Sequence, residues 1–226
     1  LTRLSAPKLW PIKRKDTKFI IKSSPGPNSL ETSIPINILL RDILNYAKTT
    51  REVKKIINAK KISINQVARK DHKFPVGIMD SMEIPETNEY YRVLLNKNGK
   101  IILNKIDKAN ALLKPYKIIN KTTIKKNKVQ LNFYDGSNII SNDNYKVGDT
   151  IILDLLSKNI KTHLKLEKGA FIYITKGKYS GYSGFIEDIK TIPNSREKMI
   201  VFKDKEGSYS TLLKYAFVVD KEFENE

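Results

Sequence analysis

The sequence contains no cysteine, two histidines and one tryptophan among its 226 residues. The absence of cysteine excludes disulfide bonds, thiol catalysis and zinc sites with cysteine ligands, and it fits a reducing compartment. No apolar run approaches the roughly 20 residues that a membrane-spanning helix requires. No signal peptide is visible. Because the sequence begins with Leu1 and not with methionine, we expect that some N-terminal residues are missing.

Patterns typical of catalysis are also lacking. His72 and His163 lie far apart, and neither belongs to an HxxxH or HxH ligand arrangement. No nucleophile elbow, HExxH motif, P-loop or calcium loop is present. Aspartates and glutamates are scattered, and nothing marks a catalytic pair. We therefore predict that the protein is not an enzyme, has no metal, cofactor or small-molecule substrate, and presents His72 to RNA or to solvent.

Acidic residues are scarce relative to basic ones. Lysine and arginine number 42 against 24 aspartates and glutamates, which gives a net charge of +18. Such an excess attracts a polyanion, either nucleic acid or an anionic membrane surface. The net charge is +5 over residues 1–35, +4 over 36–86, +9 over 87–165 and zero over 166–226. We expect the partner to contact the first three segments.

Residues 1–35 predict a basic, irregular N-terminal arm and linker. The arm has no sustained apolar period, its two early prolines disfavour helix, and residues 23–29 have the composition of a turn. We expect Trp10 to pack in the protein core, with base stacking as the alternative. The predicted phosphate contacts of the arm are Arg3, Lys8, Lys13, Arg14 and Lys15.

Residues 36–86 begin with two predicted helices. Apolar residues recur over 36–47 at the spacing of one helical face. Thr49, followed three residues later by Glu52, has the pattern of a capping box that opens a second helix. Basic residues lie on the outward faces of both helices. The alternative to a binding surface is an ordinary amphipathic helix pair with solvated charges.

Strand patterns follow the helices. Ile62 and Ile64 alternate with polar residues, and residues 74–77 predict a turn into a further strand over 79–84. A helix, a capped basic helix and a strand ending at Asn65 resemble the RNA-binding module of bacterial ribosomal protein S4. That module usually has glycine after the asparagine, where this chain has Gln66. The resemblance implies RNA contacts from Arg41, Lys48, Arg51, Lys54, Lys55, Lys60, Lys61, Arg69, Lys70 and Lys73.

Residues 87–165 predict a central domain of short strands. Asn98-Gly99 separates two apolar runs and is a strong hairpin signal, and residues 107–113 predict a short helix. Strands at regular spacing favour a small β-barrel. A lysine-rich turn follows the predicted strand over 116–124, where it either reaches a phosphate or only aids solubility. Its candidate RNA contacts are Lys125, Lys126 and Lys128.

Residues 166–220 resemble a KOW motif, as found in small SH3-like barrels of ribosomal proteins and transcription elongation factors. An alternating strand precedes Gly177 and Gly181, and a strand resumes at Gly184. Tyr179 and Tyr182 are candidates for base stacking, although the zero net charge of this segment equally suits packing on protein. Residues 221–226 form a predicted acidic, solvated tail.

Four stretches carry a wider resemblance. In chain order they are RLSAPKLWPIKRK, SPGPN, SIPINILLRDIL and RKDHKFPVGIMDSMEIPETNEYYRVL. Their order and spacing are similar to the small-subunit ribosomal protein S4e family of archaea and eukaryotes, and the layout is similar to the archaeal type.

The resemblance implies an α+β fold that is mostly β. It comprises a helix-helix-strand RNA-binding module, a central small β-barrel and a C-terminal SH3-like barrel. It also implies a non-catalytic constituent of the small ribosomal subunit in the cytoplasm, bound to ribosomal RNA and neighbouring ribosomal proteins, not to a membrane. Two alternatives are an RNA-modifying enzyme with an accessory RNA-binding module and a transcription-associated KOW factor.

Overall fold

The computed structural model describes residues 1–124, 128–141, 144–191, 197–204 and 206–220. The predicted acidic tail over 221–226 lies outside these residues. None of the described helices is long and apolar enough to cross a membrane. The chain divides into two compact units.

Short helices and many strands make up the fold, so the class predicted from the sequence, α+β and mostly β, is confirmed. The helices are α1 (Ile36–Ile38), α2 (Thr50–Asn58) and α3 (Lys108–Ala111). The strands of the first half are β1 (Ser33–Pro35), β2 (Ser63–Ile64), β3 (Val67–Ala68), β4 (Pro75–Gly77), β5 (Ser81–Ile84), β6 (Glu89–Leu95) and β7 (Ile101–Lys105). Those of the second half are β8 (Leu113–Thr123), β9 (Val129–Phe133), β10 (Asn138–Ser141), β11 (Thr150–Asp154), β12 (Ile160–Leu164), β13 (Phe171–Ile174), β14 (Ser183–Thr191), β15 (Lys198–Asp204), β16 (Gly207–Leu212) and β17 (Ala216–Val218).

Unit 1 comprises Leu1–Leu95, Lys100–Lys114 and Leu155–Ser157. Its main sheet is antiparallel, with strand order β3-β2-β5-β6-β7. The sequence placed a domain boundary after residue 86, but β6 pairs with β5 and continues the same sheet. The strand pairing therefore places β6 and β7 in the same sheet as β2 and β5, because the hydrogen-bonded ladder crosses that boundary.

The first predicted helix is shorter than expected. After α1 the backbone continues as a π-helix over Leu39–Ile43, and the Leu44 N–H donates to the Leu39 carbonyl five residues earlier. Asn45 then adopts a φ of +55°, in the left-handed region, which ends the helix. The apolar period over residues 36–47 thus gave the helix start correctly and its end four residues too late.

The predicted capping box opens α2. The Thr49 side chain accepts from the Glu52 N–H at 3.3 Å, and the Glu52 carboxylate accepts from the Lys48 N–H at 2.8 Å. The Thr49 hydroxyl also donates to the Glu52 carboxylate at 2.9 Å, and the hydrogen bonds from the Lys48 N–H and this hydroxyl lower the pKa of Glu52. The start of this helix is therefore fixed by local chemistry.

Of two turns predicted in unit 1, one is a strand in the structure and the other forms as a turn. Residues 75–77, predicted as a turn, form the buried strand β4, which pairs with β1. The hairpin between β2 and β3 has Asn65 at φ +52° and Gln66 at φ +64°. Two consecutive left-handed residues define a type I′ turn, so this turn forms although glutamine replaces the usual glycine.

Unit 2 comprises Asn96–Gly99, Pro115–Asp154 and the chain from Lys158 onward. It contains two five-stranded sheets, ordered β10-β9-β8-β11-β12 and β16-β15-β14-β13-β17. Each sheet has its own apolar cluster. The first cluster is Tyr116, Ile118, Leu131, Phe133, Tyr145, Ile151 and Leu153. The second is Ile172, Ile174, Ile186, Ile200, Phe202, Ala216 and Val218.

Candidate nucleic-acid interface

The outward face of α2 presents three cations. Arg51, Lys54 and Lys55 are exposed, whereas Val53 and Ile57 on the opposite side are buried. Residues three and four positions apart are neighbours on a helix surface, so the three charges lie close together. Within the described chain, none of the three forms an ion pair or a side-chain hydrogen bond. A rigid helix therefore holds this positive charge available to a ligand.

The loop over residues 69–74 is fixed by backbone hydrogen bonds to Ser24 and to α1. The Lys73 carbonyl accepts from Ser24 at 2.9 Å, and the His72 carbonyl accepts from Asn37 at 3.0 Å. Lys70 and Lys73 expose their side chains to solvent. These backbone hydrogen bonds hold a second set of cations in place.

His72 lies near cations of both α2 and the loop. Its imidazole is half-buried, and burial lowers its pKa, with further lowering from the positive charges of Lys54 and Lys73. The Asp71 carboxylate, 3.6 Å from Nδ1, acts in the opposite direction. Lys54 and Lys73 therefore both lie near enough to the His72 ring to influence its charge. We call Arg51, Lys54, Lys55 and Lys73 the α2 basic surface.

Three other predicted cations of the module interact within the protein. Arg41 donates to both carboxylate oxygens of Asp42, at 3.0 and 2.9 Å, and this contact raises the pKa of Arg41. Lys61 forms an ion pair with Glu86 at 2.9 Å. Arg69 places its guanidinium 4.2 Å from the centre of the Phe74 ring. Two further cations of the module are exposed and form no ion pair in the described chain, namely Lys48 and Lys60.

Arg3 was predicted to contact phosphate, but the structure buries its side chain within the arm. It is 6% exposed, and its guanidinium donates to the Lys13 carbonyl at 3.0 Å and to the Thr17 carbonyl and hydroxyl at 3.0 and 2.9 Å. It also lies 3.5 Å from the Asp16 carboxylate. A buried guanidinium surrounded by acceptors of its own chain is not placed to meet a phosphate. Arg3 holds the arm in its fold.

Arg14 has a similar role, whereas the arm lysines do not. The Arg14 guanidinium donates to the carbonyls of Leu4, Ala6 and Pro7 at 2.9 to 3.1 Å. The arm lysines predicted to contact phosphate, Lys8, Lys13 and Lys15, are exposed and form no ion pair in the described chain. Trp10 is 1% exposed and donates to the Ser33 carbonyl at 2.6 Å, which confirms that it packs in the core.

The lysine-rich turn after β8 is described only in part. Lys125 and Lys126 lie outside the described residues. Lys128 is exposed at the start of the returning chain, where its carbonyl accepts from Ile124. A lysine missed by the sequence analysis is Lys117 in β8, whose ammonium donates to the carbonyls of Lys214 and Ala216 at 2.8 and 2.5 Å. Burial lowers its pKa to about 8.

Tyr179 and Tyr182, in the segment predicted to be a KOW motif, pack against one another. The ring centres of Tyr179 and Tyr182 are 5.9 Å apart, and both rings lie within 5.5 Å of the Tyr209 ring. All three rings are half-buried against the apolar cluster of the last sheet. This arrangement favours the packing alternative over base stacking for Tyr179 and Tyr182.

Carboxylates and histidines of the described residues form no group of three or more that could hold a metal ion. His163 instead contacts Asp149, with 2.7 Å between Nε2 and Oδ2. The same carboxylate accepts from the backbone N–H groups of Lys146 and Leu166. The Asp149 carboxylate therefore joins a turn and a strand.

Comparison with known proteins matches two family models to this chain. Residues 87–160 match "Ribosomal family S4e", and residues 1–31 match the "RS4NT (NUC023) domain". The small ribosomal subunit protein eS4 of Methanosphaera stadtmanae is 41% identical over 98% of this chain and 92% of its own length. The eS4 protein of Archaeoglobus fulgidus is 42% identical over 97% of this chain and 92% of its own length.

A solved structure agrees with these matches. The crystal structure of the 30S ribosomal protein S4e from Thermoplasma acidophilum superposes with a TM-score of 0.72 and 30% identity, covering 83% of this chain and 95% of that one. Since sequence identity near 40% extends over almost the whole of both chains, the protein belongs to the ribosomal protein S4e family.

Proposed function

We propose that this chain is a structural constituent of the small ribosomal subunit, in the cytoplasm, that binds ribosomal RNA and stabilises its folded form in support of translation. Its relatives are named as proteins of that subunit. The structural observation that carries the proposal is the α2 basic surface, whose exposed cations form no ion pair among the described residues. Neighbouring ribosomal proteins are its other expected partners.

The proposed mechanism is neutralisation of phosphates by cations held on ordered elements. Phosphate contacts fix the position of a protein on RNA and strengthen binding without reading sequence. Each neutralised phosphate releases counterions, so affinity falls as salt rises. The proposed contact set consists of those cations predicted from the sequence that are exposed and form no ion pair among the described residues: Lys8, Lys13, Lys15, Lys48, Arg51, Lys54, Lys55, Lys60, Lys70, Lys73 and Lys128.

The finer architecture is also a proposal. We infer that β8–β12 form a small central barrel and that β13–β17 form an SH3-like barrel of the KOW type. Each set of strands surrounds a separate apolar cluster to which at least three of its strands contribute. The β-bulges in β8 and β14 support this reading, because bulges bend strands and help sheets to close.

We further propose that the chain acts without catalysis and takes no cofactor or small-molecule substrate. The relatives named above are ribosomal proteins, which favours this proposal over an RNA-modifying enzyme or a transcription-associated KOW factor. Assaying the purified chain for base modification tests the first alternative. Sedimentation with small subunits through high salt tests the second, because a transcription factor would not remain bound.

The binding proposal is tested by replacing Arg51, Lys54 and Lys55 together with alanine. RNA affinity should fall, and the slope of log affinity against log salt should become shallower by about 0.7–0.9 for each phosphate that the variant no longer neutralises. Thermal unfolding should change little, because all three side chains are exposed.

A matched control removes three exposed lysines from the electrically neutral last segment, namely Lys176, Lys190 and Lys198. It removes the same net charge, so it separates a local contact from a general electrostatic effect. If both triple variants weaken RNA binding equally, the α2 basic surface is not the binding site.

A further inference from the structure

One outward face of unit 2 presents side-chain amides at four of its six positions. On the outer side of β8, β9 and β10, opposite the apolar cluster, the strand register aligns two rows of side chains. The first row is Asn120, Asn132 and Asn138, and the second is Thr122, Gln130 and Ile140. We call these six residues the amide face.

The amide face is ordered by its own hydrogen bonds. The Gln130 amide donates to Asn132 Oδ1 at 2.7 Å, and the Asn132 amide donates to the Thr122 hydroxyl at 3.1 Å. The amide nitrogen of Asn120, the whole amide of Asn138 and the amide oxygen of Gln130 have no hydrogen-bond partner among the described residues. Donors and acceptors are thus presented together to the outside at the fixed spacing of a sheet.

The charge of this face contrasts with that of the chain. The protein carries a net charge of +18, yet none of the six residues is charged. The absence of carboxylates means that nothing on the face repels a polyanion. Lys128, two residues before Gln130 and therefore on the same side of the strand, is exposed at one end of the face.

We propose that the amide face binds double-helical RNA along its minor groove, with the amides exchanging hydrogen bonds with ribose 2′-hydroxyls and Lys128 contacting a phosphate. This inference rests on the proposed RNA-binding function. The minor groove of A-form RNA is wide and shallow and displays its 2′-hydroxyl groups, so a flat sheet face can approach it. Each 2′-hydroxyl both donates and accepts, as the amide groups do.

RNA is a better occupant than a neighbouring protein. The cores of protein interfaces are enriched in aromatic residues, methionine and arginine. The amide face has none of these, and its only apolar side chain is Ile140, which is 57% exposed. Its chemistry matches a surface of hydroxyl groups beside phosphates.

The test measures binding of the full chain at low salt to an RNA duplex and to the same duplex with 2′-O-methyl riboses. The methyl groups keep the A-form helix and remove the hydroxyl donors. We expect the wild-type chain to prefer the unmodified duplex by about tenfold, the effect of roughly one net hydrogen bond of 1.4 kcal/mol. Replacing Asn120, Gln130 and Asn138 with alanine should abolish that preference and leave the salt slope unchanged.

A control variant, Asn144→Ala with Thr162→Ala, removes exposed polar groups elsewhere in unit 2 and should keep the preference. Equal binding of both duplexes by the wild-type chain, or a preference that survives the triple substitution, would overturn the amide-face proposal alone. A triple variant that binds RNA normally but fails to join assembling subunits would assign the face to a protein, and would also overturn it. A wild-type chain that binds no RNA at low salt would refute the broader proposed function.

Discussion

Replacing Lys114 with methionine should destabilise unit 1 by about 3–5 kcal/mol, the usual cost of breaking a buried ion pair on one side. The Lys114 ammonium lies 2.7 Å from Asp80 Oδ1, and both side chains are 2% exposed. The carboxylate also accepts from the Asn65 and Asn28 amides and from the Gly77 N–H. The substitution would leave this negative charge buried with only neutral donors.

A double-mutant cycle separates the ion pair from the packing of its side chains. Asp80→Asn alone leaves a buried ammonium without its counter-charge and should be similarly destabilising. The double variant, Asp80→Asn with Lys114→Met, removes both charges and should cost less than the sum of the single variants. We expect a coupling energy of about 1–3 kcal/mol, as found for residues in direct contact.

Urea unfolding followed by tryptophan fluorescence reports these changes directly, because Trp10 is the only tryptophan and is buried in the same unit. Lys108→Met is the matched control, since Lys108 is exposed and forms no ion pair in the described chain, and it should change stability by less than about 0.5 kcal/mol. A destabilisation below about 1 kcal/mol for Lys114→Met, or additive single effects, would refute the reasoning, because a surface-like pair costs that little.

Three further changes have defined outcomes. Gln66→Gly should stabilise unit 1 by about 1 kcal/mol in urea unfolding, because glycine removes the cost of a left-handed φ. Thr49→Ala should destabilise it by about 1 kcal/mol and Thr49→Ser by much less, because only alanine removes the cap of α2. The pKa of Lys117 is about 8 when folded, so the unfolded chain binds more protons between pH 8 and 10.5. Stability of unit 2 should rise with pH across that window, measured by circular dichroism, and the rise should be smaller in Lys117→Met.

Local features were predictable from the sequence because they depend on residues close together in the chain. The capping pair Thr49 and Glu52 gave the start of α2. Asn98-Gly99 gave the hairpin of β6 and β7, where Gly99 has a φ of +67°. The apolar period also predicted α1, but it could not reveal the left-handed Asn45 that ends the helix, because asparagine fits a helix and a left-handed turn.

Long-range features were not predictable in the same way. The Asp80 carboxylate contacts Asn28, Asn65 and Lys114. These three residues are separated from one another by 37 or more positions in sequence, so no local pattern predicts that they meet. The role of each cation also depends on distant carbonyl groups. Arg3 and Lys13 look alike in sequence, yet Arg3 is buried against the Lys13 carbonyl while the Lys13 side chain is exposed. Charge alone therefore identifies the cations but not which of them are bound to groups of their own chain.

Arginines and lysines have different roles in this structure: most arginines bind groups of their own chain, whereas many lysines are exposed. Among the arginines that the structure describes, only Arg51 is exposed. Arg41 donates to the neighbouring Asp42 carboxylate. Three others donate to backbone carbonyls, namely Arg3, Arg14 and Arg92. The exposed charge consists mostly of lysines, which act as mobile point charges and lack the planar fork that recognises a phosphate in one orientation. Lysine contacts give salt-sensitive attraction to any polyanion but little discrimination. Discrimination for RNA requires groups that recognise ribose, and the uncharged amides of the proposed amide face would supply such groups.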